Sequence, residues 1–370
     1  MIENKKTVCV GRYLVDVPAS AAVTSSHQMI DGFEIDQVRE NEASFRDRVA
    51  MRETALMAQR TDRNVDDKGA LMEARDIRVP GMVGRTLIYG KDHTYGIEQG
   101  HRVEVEWVSV EAYVHKAGRS FVLSMRYGSE AKADVAEALL ARLQIRDENE
   151  VPSASGFCIL GGLFVEPLPP HQTEHIVVHL GLPGHADIGM TVASLPGGGR
   201  KSSLLSRAAI NDEEASLDEL LRVTVLRAGK RTINGMDGEE VLERAREVNF
   251  VTTFGFMWET QGRIDDVLRP FISLELQGGM NPAQGGKQVE SSLRQDALLA
   301  LWDSISSSIR LRGRGFVPLM DDSQPTGERE LTFNRLNRRE LPGRGSGDVD
   351  RTQTGDSHPF SIRRFVAKLM

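Results

Sequence analysis

The chain carries few of the residues and motifs that chemistry usually requires. Only two cysteines, Cys9 and Cys158, occur among 370 residues, which excludes a disulfide-dense scaffold. Two readings of the pair stay open at this point, one disulfide or two buried thiols. No GxSxG elbow, HExxH helix, CxxC pair or GxGxxG turn is present, so the common nucleophile, zinc and dinucleotide signatures are all missing. The stretch LPGGGRKSS has Arg200 before Lys201, where a phosphate loop needs glycine, and it reads as a flexible surface loop. No apolar run approaches the ~20 residues that cross a bilayer, so stable membrane insertion is not expected. Arg12 and Asp16 interrupt the segment behind Lys5 and Lys6 that a signal peptide would keep apolar. Excess positive charge is also missing. With 46 Lys and Arg against 53 Asp and Glu, the net charge is −7, which argues against nucleic acid as a partner and suits a basic protein.

What remains is an ordinary soluble composition, 40% hydrophobic and 27% charged, in a chain too long for one small core. Its pattern is that of a duplication. TVCVGRYLVDVP, from Thr7 to Pro18, reads as one β-strand with a bend at Gly11 and a stop at Pro18. FCILGGLFVEP, from Phe157 to Pro167, repeats its order of cysteine, glycine, apolar run, acid and proline, with the cysteines 149 residues apart (9 to 158). Further matches keep their order: GMVG at Gly81 with GMDG at Gly235, Trp107 with Trp258, FVLSMRYG at Phe121 with FISLELQG at Phe271, and Ile145-Arg146 with Ile309-Arg310. The alternation in HRVEVEWVSV predicts a strand of a hairpin that turns at Lys116-Gly118, and a strand–turn–strand is predicted over Pro80-Gly81. Helices are expected near 38–60, 132–143, 202–209, 217–226 and 289–309 from their apolar spacing. The fold class that follows is α+β: two similar domains, each an antiparallel sheet with helices packed on one face. The expected boundaries are a lobe over 1–148, a polar linker over 149–155, a second lobe over 156–315 and a polar, disordered tail over 316–370.

The sharpest polar cluster is His171, His175 and His179. On a helix, spacings of four would stack three imidazoles around zinc. Ile176-Val177-Val178 favours a strand, where residues four apart lie ~13 Å from each other and cannot share a metal; solvated strand histidines are the preferred reading. Asp212, Glu213, Glu214, Asp265 and Asp266 form local acidic clusters, placed in loops or at a helix start, and are candidates for contact with a basic partner. Trp107 and Trp258 read as equivalent core residues.

CVGRYLVDVP, GFCILGGLFVEP, the FxxSxxYG-like strand before a helix and the ending SIRLR together resemble the two-domain immunity proteins of bacterial type VI secretion lipase effectors, in the class cognate to the fourth group of those phospholipases. The resemblance spans about Lys6 to Arg314. It implies a non-enzymatic inhibitor without cofactor or catalytic residues. Such a protein grips the lid region of its cognate phospholipase effector between two lobes, in the periplasm. The sequence shows no clear export segment, and cytoplasm is the alternative location. In an oxidising compartment Cys9 and Cys158 would pair if their strands bring the Cα atoms within ~7 Å. The competing reading is a small-ligand or metal-binding protein, or an enzyme, using the region from His171 to His179 in an inter-lobe cleft.

Overall fold

The computed structural model describes residues 4–59, 70–98, 101–168, 173–197, 202–283 and 285–313. The tail from 316, the centre of the LPGGGRKSS loop and His171 lie outside these residues. The opening stretch is two strands rather than one. β1 (Lys5–Val10) and β2 (Tyr13–Pro18) form an antiparallel hairpin about Gly11-Arg12, and Gly11 takes the left-handed turn conformation at φ +58°, which glycine adopts without steric cost. The first module continues through β3 (Ala22–Ile30), β4 (Phe33–Arg39), α1 (Glu42–Ala58), β5 (Leu71–Asp76), β6 (Val83–Glu98), β7 (His101–Lys116), β8 (Arg119–Gly128), α2 (Lys132–Leu140) and β9 (Leu143–Ile145).

The second module repeats that order. A hairpin, β10 (Gly156–Ile159) and β11 (Gly162–Val165), is followed by β12 (Glu174–Leu182), β13 (His185–Leu195), α3 (Leu204–Glu214) and a short α4 (Leu217–Arg222). Then come β14 (Val223–Ile233), β15 (Met236–Arg246), β16 (Thr252–Glu259), β17 (Phe271–Gly278), α5 (Gln295–Ser306) and β18 (Arg310–Leu311). Twelve of these strands make one antiparallel sheet in the order β14-β15-β16-β17-β13-β12-β3-β4-β8-β7-β6-β5. Its two halves have the same internal order read from opposite ends. The first long strand of each module, β3 or β12, therefore meets its counterpart at the centre.

Two small sheets, β1-β2-β18 and β10-β11-β9, join the modules a second time. Each module's opening hairpin is completed by the other module's closing strand. Leu14 pairs with Arg310, and Leu163, its counterpart 149 residues on, pairs with Gln144. This register aligns Arg146 with Arg312, an offset of 166, and so corrects the sequence match of Ile145-Arg146 with Ile309-Arg310. The main-chain N–H groups of Arg146 and Arg312 donate to equivalent hairpin turns, at Gly161 O (3.1 Å) and Arg12 O (2.9 Å).

Helices cover both faces of the large sheet, where the sequence reading placed them on one. α2 and α5 bury Leu139, Leu140, Leu298, Leu301 and Trp302 in the main core with Ile88, Val110, Leu123, Phe256 and Leu274. α1 and α3 lie on the reverse face. The cause is in the strands: Leu87 beside Ile88, and Val241 beside Leu242, are adjacent apolar residues that point to opposite faces, so both faces need cover. The tryptophan match also fails. Trp258 is fully buried on β16 opposite Leu274. Trp107 lies beyond the last β7–β8 rung, Val108–Gly128, half-buried with its ring edge-on to Tyr127 at 5.6 Å. β7 is twice as long as β16, and Trp107 belongs to its extension.

Candidate functional site

Among the described residues, helices cover the two ends of the reverse face and none covers its middle. At one end α1 buries Phe45, Val49 and Leu56 against Leu87, Tyr113 and Val122. The Asn41 side chain caps this helix by accepting from Ser44 N–H at 2.9 Å. At the other end Leu204 of α3 rests on Val241, Ala245 and Met257. Between them β17, β13, β12, β3 and β4 present a polar strip. Register aligns Glu275 with Thr191, and Thr191 with His179.

His175 and His179, the two candidate histidines among the described residues, both lie on this strip. His179 Nδ1 lies 3.1 Å from Thr191 Oγ1, and its Nε2 lies 2.7 Å from Ser26 Oγ. His175 Nδ1 lies 3.3 Å from His27 Nε2 across the β3–β12 junction, with the rings edge to face at 4.6 Å. Desolvation pushes the pKa of both His175 and His179 down, and the charge of His27 adds to the effect on His175. They are half-buried, hydrogen-bonded imidazoles and not the solvated ones expected. Strand geometry holds them on separate partners, and no three metal-ligating side chains converge among the described residues.

Buried ionic groups line both margins. Beside α1, Arg52 donates to Glu111 at 2.6 and 2.9 Å, and the hydroxyls of Tyr89 and Tyr113 donate to the same carboxylate at 2.6 and 2.5 Å. Beside α3, Arg207 pairs with buried Glu259 at 2.6 Å. Glu243 lies beneath this helix, and desolvation, followed by the charge of Asp212, pushes its carboxyl up to about 7. Glu275 is also pushed up by burial, against the amide of Gln277 and with the charge of Glu259.

Of the two acidic clusters, Asp265 and Asp266 lie in a loop as expected, and the cluster from Asp212 to Glu214 lies elsewhere. Asp212 and Glu213 are in the last turn of α3, which ends at Glu214, and so at the negative end of the helix dipole rather than at a helix start. Helix residues continue to 214 because Ala208, Ala209 and Ile210 sustain them past the point where the apolar spacing fades. Asp266 lies in the β16–β17 loop, where it accepts from Leu268 N–H at 3.0 Å and pairs with Arg269 at 2.5 Å. Its neighbour Asp265 takes a positive φ of 55° in that turn.

On the main-core side, the hairpins cross at Cys9 and Cys158, which form a disulfide with Cα atoms 5.9 Å apart. Equivalent residues are bonded to each other, so the bond lies on the pseudo-twofold relating the modules. Gly11 and Cys158 exchange main-chain hydrogen bonds beside it, at 3.1 and 2.8 Å. Three buried arginines surround this crossing. Arg312 Nη1 lies 3.1 and 3.4 Å from the two sulfurs, and its Nη2 donates to Gly156 O at 2.7 Å. Arg146 donates to the carbonyls of Ile159 and Gly162 in the β10–β11 hairpin and Glu150 in the connecting segment, at 3.0, 3.2 and 2.8 Å. Desolvation and then the charge of Arg312 push Arg146 down to about 10. Arg12 forks onto Glu174 at 2.7 and 2.6 Å and reaches Glu166 at 2.5 Å. Sequence reasoning missed these three residues, although the matched arginines that follow β9 and β18 were a usable signal.

Comparison with known proteins covers nearly the whole described region. Models of the Tle cognate immunity protein 4 N-terminal and C-terminal domains match residues 6–153 and 150–314. The fold is similar to a chain in the crystal structure of the Tle4–Tli4 complex, at TM-score 0.70 and 21% identity over 85% of this chain and 100% of that one. It is also similar to the T6SS immunity protein TplEi from Pseudomonas aeruginosa. The apo form gives TM-score 0.67 and 22% identity over 84% and 98% of the two chains. The form complexed with "L" peptide gives 0.66 and 21% over 84% and 99%. No curated protein matches.

Proposed function

Because the chain belongs to the Tle cognate immunity protein 4 family, we propose that it binds and silences a cognate type VI secretion phospholipase effector and thereby protects the cell that makes it. The observation that carries this reading is the match of both domain models, end to end, over 6–314. The lobes over 1–148 and 156–315, with the linker 149–155, act here as one binding body. The lid region of the effector seats on the polar strip of the large sheet, gripped between the margins built by α1 and α3. Held there, the lid cannot open its active site onto membrane lipid. Tight inhibition calls for an interface of ~1,600 Å² or more, anchored by a few aromatic or arginine residues with a polar rim. The excess of acidic residues favours fast encounter with a basic partner surface. The place of action is the periplasm, where a disulfide between Cys9 and Cys158 persists. Co-expression with the effector tests the reading: the two proteins co-purify and lipase activity is lost. Full lipase activity with no complex would overturn it.

A further inference from the structure

Beside the centre of the large sheet the two modules differ in how their first two long strands pair. In the second module β12 and β13 pair along their length, from Ile176–Ser194 to Leu182–His185. In the first, the equivalent β3 and β4 pair only at Met29–Glu34 and Ile30–Phe33 and then diverge. Between them opens a slot of about 380 Å³, lined by Ser25, Ser26, His27, Glu34, Asp36 and Gln37 among others. Its inner end is closed by the β10–β11 turn. Leu160 N–H donates to Gln28 Oε1 at 2.6 Å, Gln28 Nε2 donates to Ile35 O at 3.4 Å, and the Gln37 amide bridges Leu160 O and Arg119. The outer end opens beside Glu34 and Asp36, two exposed carboxylates on one face of β4 that carry no ion pair among the described residues. Among the described residues, no lysine or arginine lines the slot.

We propose that this slot receives an extended, cationic segment of a partner protein. Two diverging strand edges offer main-chain N–H and C=O groups to an inserted chain, which is the geometry of strand addition. Glu34 and Asp36, two residues apart, project from the same face at the period-two spacing of an extended ligand. A segment with Lys or Arg at alternate positions therefore satisfies the main-chain edge and both carboxylates together. Ser25, Ser26 and His27 supply the polar opposite wall. The slot lies within the polar strip given above to the effector's lid, but the inference does not depend on that reading and its assay contains no lipase, so either can fail alone.

The test uses the full chain and two short fluorescein-labelled peptides, one alternating lysine and valine, the other alternating glutamate and valine. Anisotropy at low ionic strength should show saturable binding of the lysine peptide and at least about tenfold weaker binding of the glutamate peptide. E34Q/D36N should weaken the lysine peptide by about tenfold, while D47N/D296N, which removes the same charge from exposed helix positions, should leave it unchanged. Amide hydrogen exchange in β3 and β4 should slow on binding. Equal weakening by both double variants, binding of the glutamate peptide as tightly, or unprotected β3 and β4 amides would each overturn the proposal.

Discussion

Glu243 is the residue whose chemistry most directly reports on the α3 margin. Its carboxyl is buried under the helix, its pKa stands at about 7, and the charge that faces it is Asp212. A folded-state pKa above the ordinary carboxyl value contributes stability that is fully present below that ordinary value and is lost as pH rises through about 7. At pH 8 the buried charge costs about 3 kcal/mol relative to acid conditions. E243Q should therefore be more stable than the parent in urea unfolding at pH 8 and nearly equal to it at pH 5. Parallel pH profiles for the two proteins would contradict this assignment. Little of this chemistry was legible in the sequence. Glu243 lies in a run of alternating acids and apolar residues, GEEVLERA, that reads as a half-exposed strand, and only the helix packed above it removes its water.

At the scale of elements, the hairpins at the crossing matter most. The turns at Gly11-Arg12 and Leu160-Gly161 are only two residues long, with β-branched and apolar residues continuous on either side. The apolar pattern therefore ran through them and each hairpin read as one strand. β3 leaves little trace in the sequence, because Thr24, Ser25 and Ser26 look like loop residues. It is a strand because β12 supplies the ladder along one edge. The long alternation of β6 to β8 was legible because the backbone hydrogen bonding there is local. The Cys9–Cys158 disulfide closes a loop of 149 residues, and chain-entropy reasoning gives it about 3–5 kcal/mol. C9S/C158S should lose that amount in chemical unfolding without loss of sheet by circular dichroism. The parent should lose a similar amount under reducing conditions, and an unchanged midpoint in both experiments would contradict the structural role of the bond.

For the whole molecule, the duplication was readable from ordered matches such as GMVG with GMDG, whose final glycines, Gly84 and Gly238, each sit against a neighbouring strand's carbonyl with no room for a side chain. The way the copies share a sheet was not readable. Pairing of β3 with β12, and exchange of β9 and β18, depend on register between distant segments, and one sequence carries no trace of that register. The consequence is that neither module closes alone. Residues 1–153 lack β12 beside β3, lack β18 beside β2 and leave β9 without β11, exposing unpaired edges. Expressed separately, that fragment should self-associate or stay in inclusion bodies, whereas the full chain should unfold in a single transition by fluorescence and circular dichroism. A soluble, monomeric fragment with native-like sheet content would contradict the shared architecture.

Neutralisation of a Tle phospholipase by direct binding of this chain would show in a titration of purified effector with the full chain under non-reducing conditions. Lipase activity should fall linearly to near zero at one equivalent, and a single complex should elute on size-exclusion chromatography. Undiminished activity at excess protein, with the two components eluting apart, would contradict it.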